Sequence, residues 1–107
     1  MELRRYADAA KFPFGHLVVR DLTPAGFERL SVAEVEVPIG ADNPPFAAAY
    51  EDKVYVGITG EIAFVVGADT IRVGRGDVLV VRAGEQYSYH NGGYEKGRLL
   101  VLQIPHG

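Results

Sequence analysis

Apolar and polar residues alternate along most of this chain with a period of two, in short runs cut by glycine, proline and asparagine. That is the pattern of strands with one buried face. The run Glu28–Ile39 sets Leu30, Val32, Val35, Val37 and Ile39 against Arg29, Ser31, Glu34 and Glu36. One slip near Ala33 predicts a bulge or a change of face there. Ahead of this run His16–Asp21 reads as a first strand. Residues 50–60, YEDKVYVGITG, carry β-branched and aromatic residues into a tight turn, and Glu61–Val66 returns as the next strand. Gly67–Asp69 connects to a short strand over Thr70–Val73, Gly74–Asp77 turns into the stretch GDVLVVRAGEQYSYHN at residues 76–91, and Arg98–Pro105 closes the fold. Gly40–Pro45, GADNPP, is dense in turn formers and reads as a loop. Thr23 before Pro24 can cap one helical turn, which Gly26 ends. About eight closely spaced strands, with no helix beyond a turn, predict an all-β fold, a small antiparallel barrel or double-sheet jelly roll.

Residues 1–15 read as an extended arm, because Pro13 between Phe12 and Phe14 blocks a regular helix. Such an arm pins its phenylalanines onto something apolar, its own barrel or a partner's. The length of 107 residues suits one domain, and 48% apolar with 23% charged residues suits an ordered globule. A formal charge of −3 supplies no basic field for phosphate backbones, so no nucleic-acid partner is expected. No apolar run approaches the roughly 20 residues that span a bilayer, so no membrane role is expected either. Met1–Lys11 lacks the apolar segment of an export signal, which makes the cytoplasm the expected location. With no cysteine, disulfides, thiolate nucleophiles and thiolate metal ligands are excluded. The three histidines, His16, His90 and His106, lie in unrelated segments.

The stretch at residues 76–91 carries a spacing that is informative about family. Gly76, then five residues, Arg82, Ala83, Gly84, two residues, Tyr87, three residues and Asn91 keep every interval of a motif that reads Gly, five residues, Pro-x-Gly, two residues, His, three residues, Asn. An earlier motif, Gly, five residues, His-x-His, three or four residues, Glu, six residues, Gly, falls on Gly40, Phe46, Ala48, Lys53 and Gly60. On these two motifs the chain resembles the cupin superfamily over about residues 28–105. The resemblance implies a small β-barrel, and an N-terminal arm that packs in a homodimer. In the family the two histidines and the glutamate of the first motif and the histidine of the second hold a metal. Here those positions are Phe46, Ala48, Lys53 and Tyr87.

First-row metals need imidazole, carboxylate or thiolate donors converging on one point, and phenylalanine and alanine supply none. A protonated lysine places a cation where a cation would sit. No metal and no other cofactor is therefore expected. A relocated site from Glu51, Asp52, Tyr87 and His90 is disfavoured, because adjacent strand residues point to opposite faces.

If the glutamate position faces inward as the resemblance implies, Lys53, Tyr55 and Gly57 share the inner face with Leu79, Val81, Tyr87 and Tyr89. Val54, Val56 and Ile58 then look outward, and so apolar a face calls for cover by the arm or a second subunit. The opposite parity buries the valines and leaves Lys53 and Tyr55 on the surface. Gln103, the only polar residue in Leu99–Ile104, points inward, Phe46 and Tyr50 close one end, Arg82 lies at the rim and His90 is exposed.

The candidate ligand-binding residues are Lys53, Tyr55, Tyr87, Tyr89, Phe46 and Gln103. Three functions compete. The first is metal-independent binding of a small organic molecule, with Lys53 recognising an anion and aromatic rings forming the walls. The second is an isomerase, epimerase or lyase in which Lys53, its pKa lowered by burial, works with Tyr87 or Tyr55 as acid and base. The third is a structural or interaction module whose barrel is filled, with Lys53 reaching toward the barrel mouth or paired to Glu51 or Glu85. No nucleophile triad or dinucleotide fingerprint is present, and GRGD at residues 74–77 lacks the following helix that a phosphate loop needs.

Overall fold

The computed structural model describes residues 1–106. Ten strands follow one turn of 3₁₀ helix at Tyr6–Asp8: β1 Lys11–Phe14, β2 Leu17–Asp21, β3 Ser31–Val37, β4 Asp42–Phe46, β5 Glu51–Thr59, β6 Ile62–Val66, β7 Asp69–Val73, β8 Val78–Val81, β9 Tyr87–His90 and β10 Gly97–Pro105. They form a six-stranded sheet in the order β1-β2-β3-β10-β5-β8 and a four-stranded sheet in the order β4-β9-β6-β7. Every pairing is antiparallel. The two sheets face one another across one core without closing into a barrel, so the all-β expectation holds in its double-sheet form. Val37, Ile62, Phe64 and Leu99 are completely buried between them.

Alternation decides which side chains reach that core. On β5 Tyr55 and Gly57 are buried, on β9 Tyr87 and Tyr89, and on β10 Gly97, Leu99 and Val101. The same parity turns Val54, Val56 and Ile58 outward. Among the described residues no helix is long and apolar enough to cross a membrane.

Several expectations are corrected. Gly40–Pro45 is not all loop, because Asp42–Phe46 forms β4 against β9. Pro44 and Pro45 fall where the register shifts between Asn43 and Phe46. β4 is an edge strand, so the missing N–H groups break no ladder on its free side. Within the expected extended arm Lys11–Phe14 is likewise an edge strand, which brings the count to ten. The slip near Ala33 is no bulge: β3 pairs without interruption to both β2 and β10. Ala33, Val35 and Val37 face inward, and Val32 joins Glu34 and Glu36 on the outer face, which is itself partly apolar. Thr23 caps no helix; its hydroxyl accepts the Val32 N–H at 2.9 Å and so closes the loop between β2 and β3.

The N-terminal residues dock on the outer face of their own sheet. Tyr6 donates its hydroxyl proton to Glu34 at 2.7 Å. Arg20 reaches the carbonyls of Tyr6 and Ala9 and lies 4.2 Å from the centre of the Tyr6 ring. The nearly buried Glu36 is ringed by Lys96 at 3.6 Å, Lys11 at 3.7 Å and Arg98 at 4.0 Å. This charged half over β2 and β3 is covered. The other half, over β10, β5 and β8, is apolar and open, with Val78 61% and Val80 49% exposed.

Two details hold the frame. The Gly74–Asp77 turn lies directly on β5: the Gly57 N–H donates to Asp77 O at 2.9 Å, and the Gly76 N–H donates to Gly57 O at 2.8 Å. At the end of β9 the Asn91 amide donates to Val37 O at 2.9 Å and Glu95 O at 2.8 Å, and its oxygen accepts the Gly93 N–H at 2.9 Å.

Candidate functional site

A cavity of about 380 Å³ lies between the sheets. Its rim is the exposed Phe12 and Phe14 of β1 on one side and Pro44, Pro45 and Phe46 of β4 on the other. Those are the free edges of the two sheets, and the mouth exists because they do not pair. Leu17, Val35 and Val101 of the larger sheet form an apolar wall. Tyr55, Tyr87 and Tyr89 bring their rings and hydroxyls together in the interior.

Strand register assembles the polar groups. Gln103 is the cross-strand partner of Lys53, and Val101 that of Tyr55. Phe46 faces Tyr87, and Asn43 faces Tyr89. All six candidate residues, Lys53, Tyr55, Tyr87, Tyr89, Phe46 and Gln103, line this one cavity. Tyr50 does not; it is 81% exposed at the surface, so of that expected pair Phe46 borders the cavity and Tyr50 stays outside it. Lining residues that local pattern does not reveal are Asn43, Pro44 and Pro45, hidden in a string of turn formers, and the apolar wall. Phe12 and Phe14, two apart on one strand, could have been placed together by period-two alternation.

The Lys53 ammonium lies 4.7 Å from the Phe46 ring centre and 5.9 Å from that of Tyr87. Ring faces attract a cation through their quadrupole. Among the described residues no carboxylate pairs with it, and none of the lining residues is acidic. The expected pairing to Glu51 or Glu85 is absent: Glu85 instead accepts the Arg82 N–H at 2.8 Å. The cavity therefore holds one uncompensated positive charge.

The Tyr55 and Tyr87 hydroxyls are 2.6 Å apart. The Tyr87 and Tyr89 rings stack with 13° between their planes, and Phe46 meets Tyr87 edge-on at 79°. Burial, reinforced by the neighbouring Tyr89 and Tyr87, raises the Tyr55 pKa well above the ordinary phenol value. Burial and then Tyr87 raise that of Tyr89. Both therefore remain neutral hydroxyls at neutral pH.

The relocated metal site does not form. Asp52 accepts the Ala83 N–H at 2.8 Å and pairs with His106 at 2.9 Å. The Ala83 N–H first, and then His106, hold its carboxyl below the usual range. His90 is exposed on the outer face of the smaller sheet, turned away from Tyr87 and Tyr89. Among the described residues no three histidine, aspartate or glutamate side chains converge as metal ligands.

The cupin-domain family model matches residues 33–103. The chain belongs to the cupin family. This cupin is 34% identical over 55 residues to an uncharacterised protein of Streptomyces coelicolor, an alignment covering 51% of this chain and 52% of that protein. The aligned part thus amounts to about half the length of the curated relative. Among solved structures it is similar to the cupin domain of Cnp3 from Schizosaccharomyces pombe, with TM-score 0.82, 24% identity, and 94% of this chain and 72% of that one covered. KdgF from Halomonas sp. superposes with TM-score 0.85 at 13% identity over 98% of this chain and 95% of its own. Streptomyces PAC13 with uridine gives TM-score 0.81 at 12% identity, covering 100% of this chain and 84% of that one. At such identities the likeness is one of fold.

The metal implied by the family does not fit the residues of this cupin. Three of the four motif positions, Phe46, Lys53 and Tyr87, converge at the cavity, where they present a hydrocarbon ring, an ammonium and a phenol. The fourth, Ala48, carries no donor and instead lends its carbonyl to the Gly84 N–H at 2.7 Å. An ammonium at this point opposes a metal cation by like charge.

Proposed function

We propose that this cupin binds a small organic anion in the cavity between its sheets, without a metal. The observation that carries this reading is a roomy, largely aromatic pocket whose one charge is the Lys53 ammonium, unaccompanied by any acid. An interior filled by its own side chains would leave no such space. The acid and base alternative has weaker support, since the Lys53 ammonium rests on ring faces and no hydrogen bond joins it to a tyrosine hydroxyl among the described residues.

Two fluorescent dyes of similar shape test the reading. The cavity should bind the neutral N-phenyl-1-naphthylamine, and bind the sulfonate 1-anilinonaphthalene-8-sulfonate more tightly. Lys53→Met should weaken the sulfonate about tenfold, roughly 1.4 kcal/mol, while leaving the neutral dye unchanged. Sulfonate affinity that ignores Lys53 would overturn the role of the charge.

The open outer face supports a homodimer as part of the same proposal. Val54, Val56, Val78, Val80, Leu100 and Leu102 form a continuous apolar patch, bordered by Asp52 at one end and Arg98 at the other. Ile58 and Ile104 extend it, and they, Val78 and Val80 each leave more than a third of their surface to water. A second copy placed face to face buries it. Sedimentation velocity should give a dimer for the natural protein and a monomer for Val80→Asp, with dye binding retained; a natural protein that sediments as a monomer refutes the pairing.

A further inference from the structure

We infer that the anion this cavity takes is a delocalised ring oxyanion, a phenolate or enolate, seated on the hydroxyls of Tyr55, Tyr87 and Tyr89. The inference rests on the small-anion reading above and narrows it to a chemical class.

The first argument is a count of protons. Tyr55 and Tyr87 bring two hydroxyl protons and share one hydrogen bond at 2.6 Å. One O–H is left over, whichever of the two donates. The Tyr89 hydroxyl lies beside that of Tyr55 and borders the same cavity. At least one O–H group of the three tyrosines is thus free to turn toward a guest in a mostly apolar space. No lining side chain is a carboxylate that could accept it. The amides of Asn43 and Gln103 each carry as many donors as they could offer acceptors. The cavity is rich in donors and short of acceptors.

The second argument is which protons stay. Burial holds Tyr55 and Tyr89 neutral. They remain donors under all ordinary conditions, so an oxyanion entering the cavity meets O–H groups rather than tyrosinates. With the Lys53 ammonium nearby, the one fixed charge lining the site and the tyrosine O–H dipoles favour added negative charge.

The third argument is shape and hydration. Stacked Tyr87 and Tyr89 with Phe46 edge-on present flat walls to a flat guest. A carboxylate confines its charge to two oxygens and holds water strongly, and most of its shell is lost in a cavity with an apolar wall. A phenolate or enolate spreads its charge into a ring and gives up less hydration, while one oxygen can accept two O–H donors.

4-Nitrophenol is a direct probe, since its neutral and ionised forms have different absorption bands. At a pH near the probe's own pKa, adding the protein should increase the phenolate band, with a bound-state pKa lowered by about one unit. Tyr87→Phe and Tyr55→Phe should each weaken phenolate binding about tenfold, with neutral 4-nitroanisole and N-phenyl-1-naphthylamine bound within twofold of the natural protein. Intact dye binding in each variant shows that the cavity has survived the change. If the probe binds as the neutral phenol, or if the variants hold phenolate as tightly as the natural protein, the inference is wrong. In that case Lys53-dependent sulfonate binding still leaves the small-anion reading standing. If neither dye nor nitrophenol binds, both fall together.

Discussion

Asn91→Leu should lower the unfolding free energy of this cupin by about 3 kcal/mol, measured by urea denaturation followed by circular dichroism. Asn91 is 1% exposed, and its amide joins three chain segments that are distant in sequence or turn sharply. It donates to Val37 at the end of β3 and to Glu95 ahead of β10, and accepts from Gly93 in the turn between. Leucine has nearly the same volume but leaves two carbonyls and one N–H without partners, each costing about 1–3 kcal/mol where water cannot reach. Asn91→Asp sharpens the test. A carboxylate keeps the acceptor for Gly93 but points its second oxygen at two carbonyl oxygens. The loss should be as large at neutral pH and should shrink as the pH falls and the carboxyl, its pKa raised by those carbonyls, protonates and donates one bond. A cost below about 1 kcal/mol for both variants would remove Asn91 as the staple of this end.

Gly57→Ala should cost about 3 kcal/mol, seen as a fall in melting temperature of roughly 15 °C. A β-carbon at Gly57 would lie 1.9 Å from the Gly74 carbonyl oxygen, and the obstacle is backbone, so no rotamer change relieves it. The Gly74–Asp77 turn would have to lift, breaking the two hydrogen bonds that tie it to β5. Gly76→Ala is the control. Gly76 has φ of +81°, but a β-carbon there meets nothing within 4 Å. Its cost is the left-handed backbone alone, about 1 kcal/mol. Equal losses at the two positions would show that glycine's conformational freedom matters here and the close approach does not.

Both positions illustrate what local sequence can convey. The Gly-and-Asn frame of residues 76–91 is legible by spacing, and the structure shows the work each part does: Gly76 turns the chain onto β5, and Asn91 closes the far end. Alternation alone favours the opposite parity for β5, with the valines as core and Lys53 and Tyr55 on the surface, because a lysine rarely goes inside. Only the motif register leaned toward the inward choice. The structure explains why both faces look buried: the inner one meets the opposite sheet, and the outer one is the uncovered apolar patch.

The misplaced elements share a cause. Asp42–Phe46 carries two prolines and a turn-like composition, and it is a strand because β9 lies beside it. Lys11–Phe14 is a strand because β2 folds back on it. Edge strands draw their regularity from a neighbour, so their own residues need not show it. The Val32 slip has the same origin, since an outward valine reads as an error in the pattern until the apolar outer face is known.

By itself the sequence of this cupin determined the strand periodicity, the turns that separate the strands and the loss of the family's metal donors, because these depend on backbone geometry and side-chain chemistry within a few residues. The tertiary structure decided the rest: that two free sheet edges leave a mouth, that Lys53 rests on Phe46 with no acid beside it, and that Tyr55 and Tyr87, 32 residues apart, share one hydrogen bond and leave a proton over. Those properties belong to register between strands and to what each side chain meets across the core, and neither is written in any one segment of the chain.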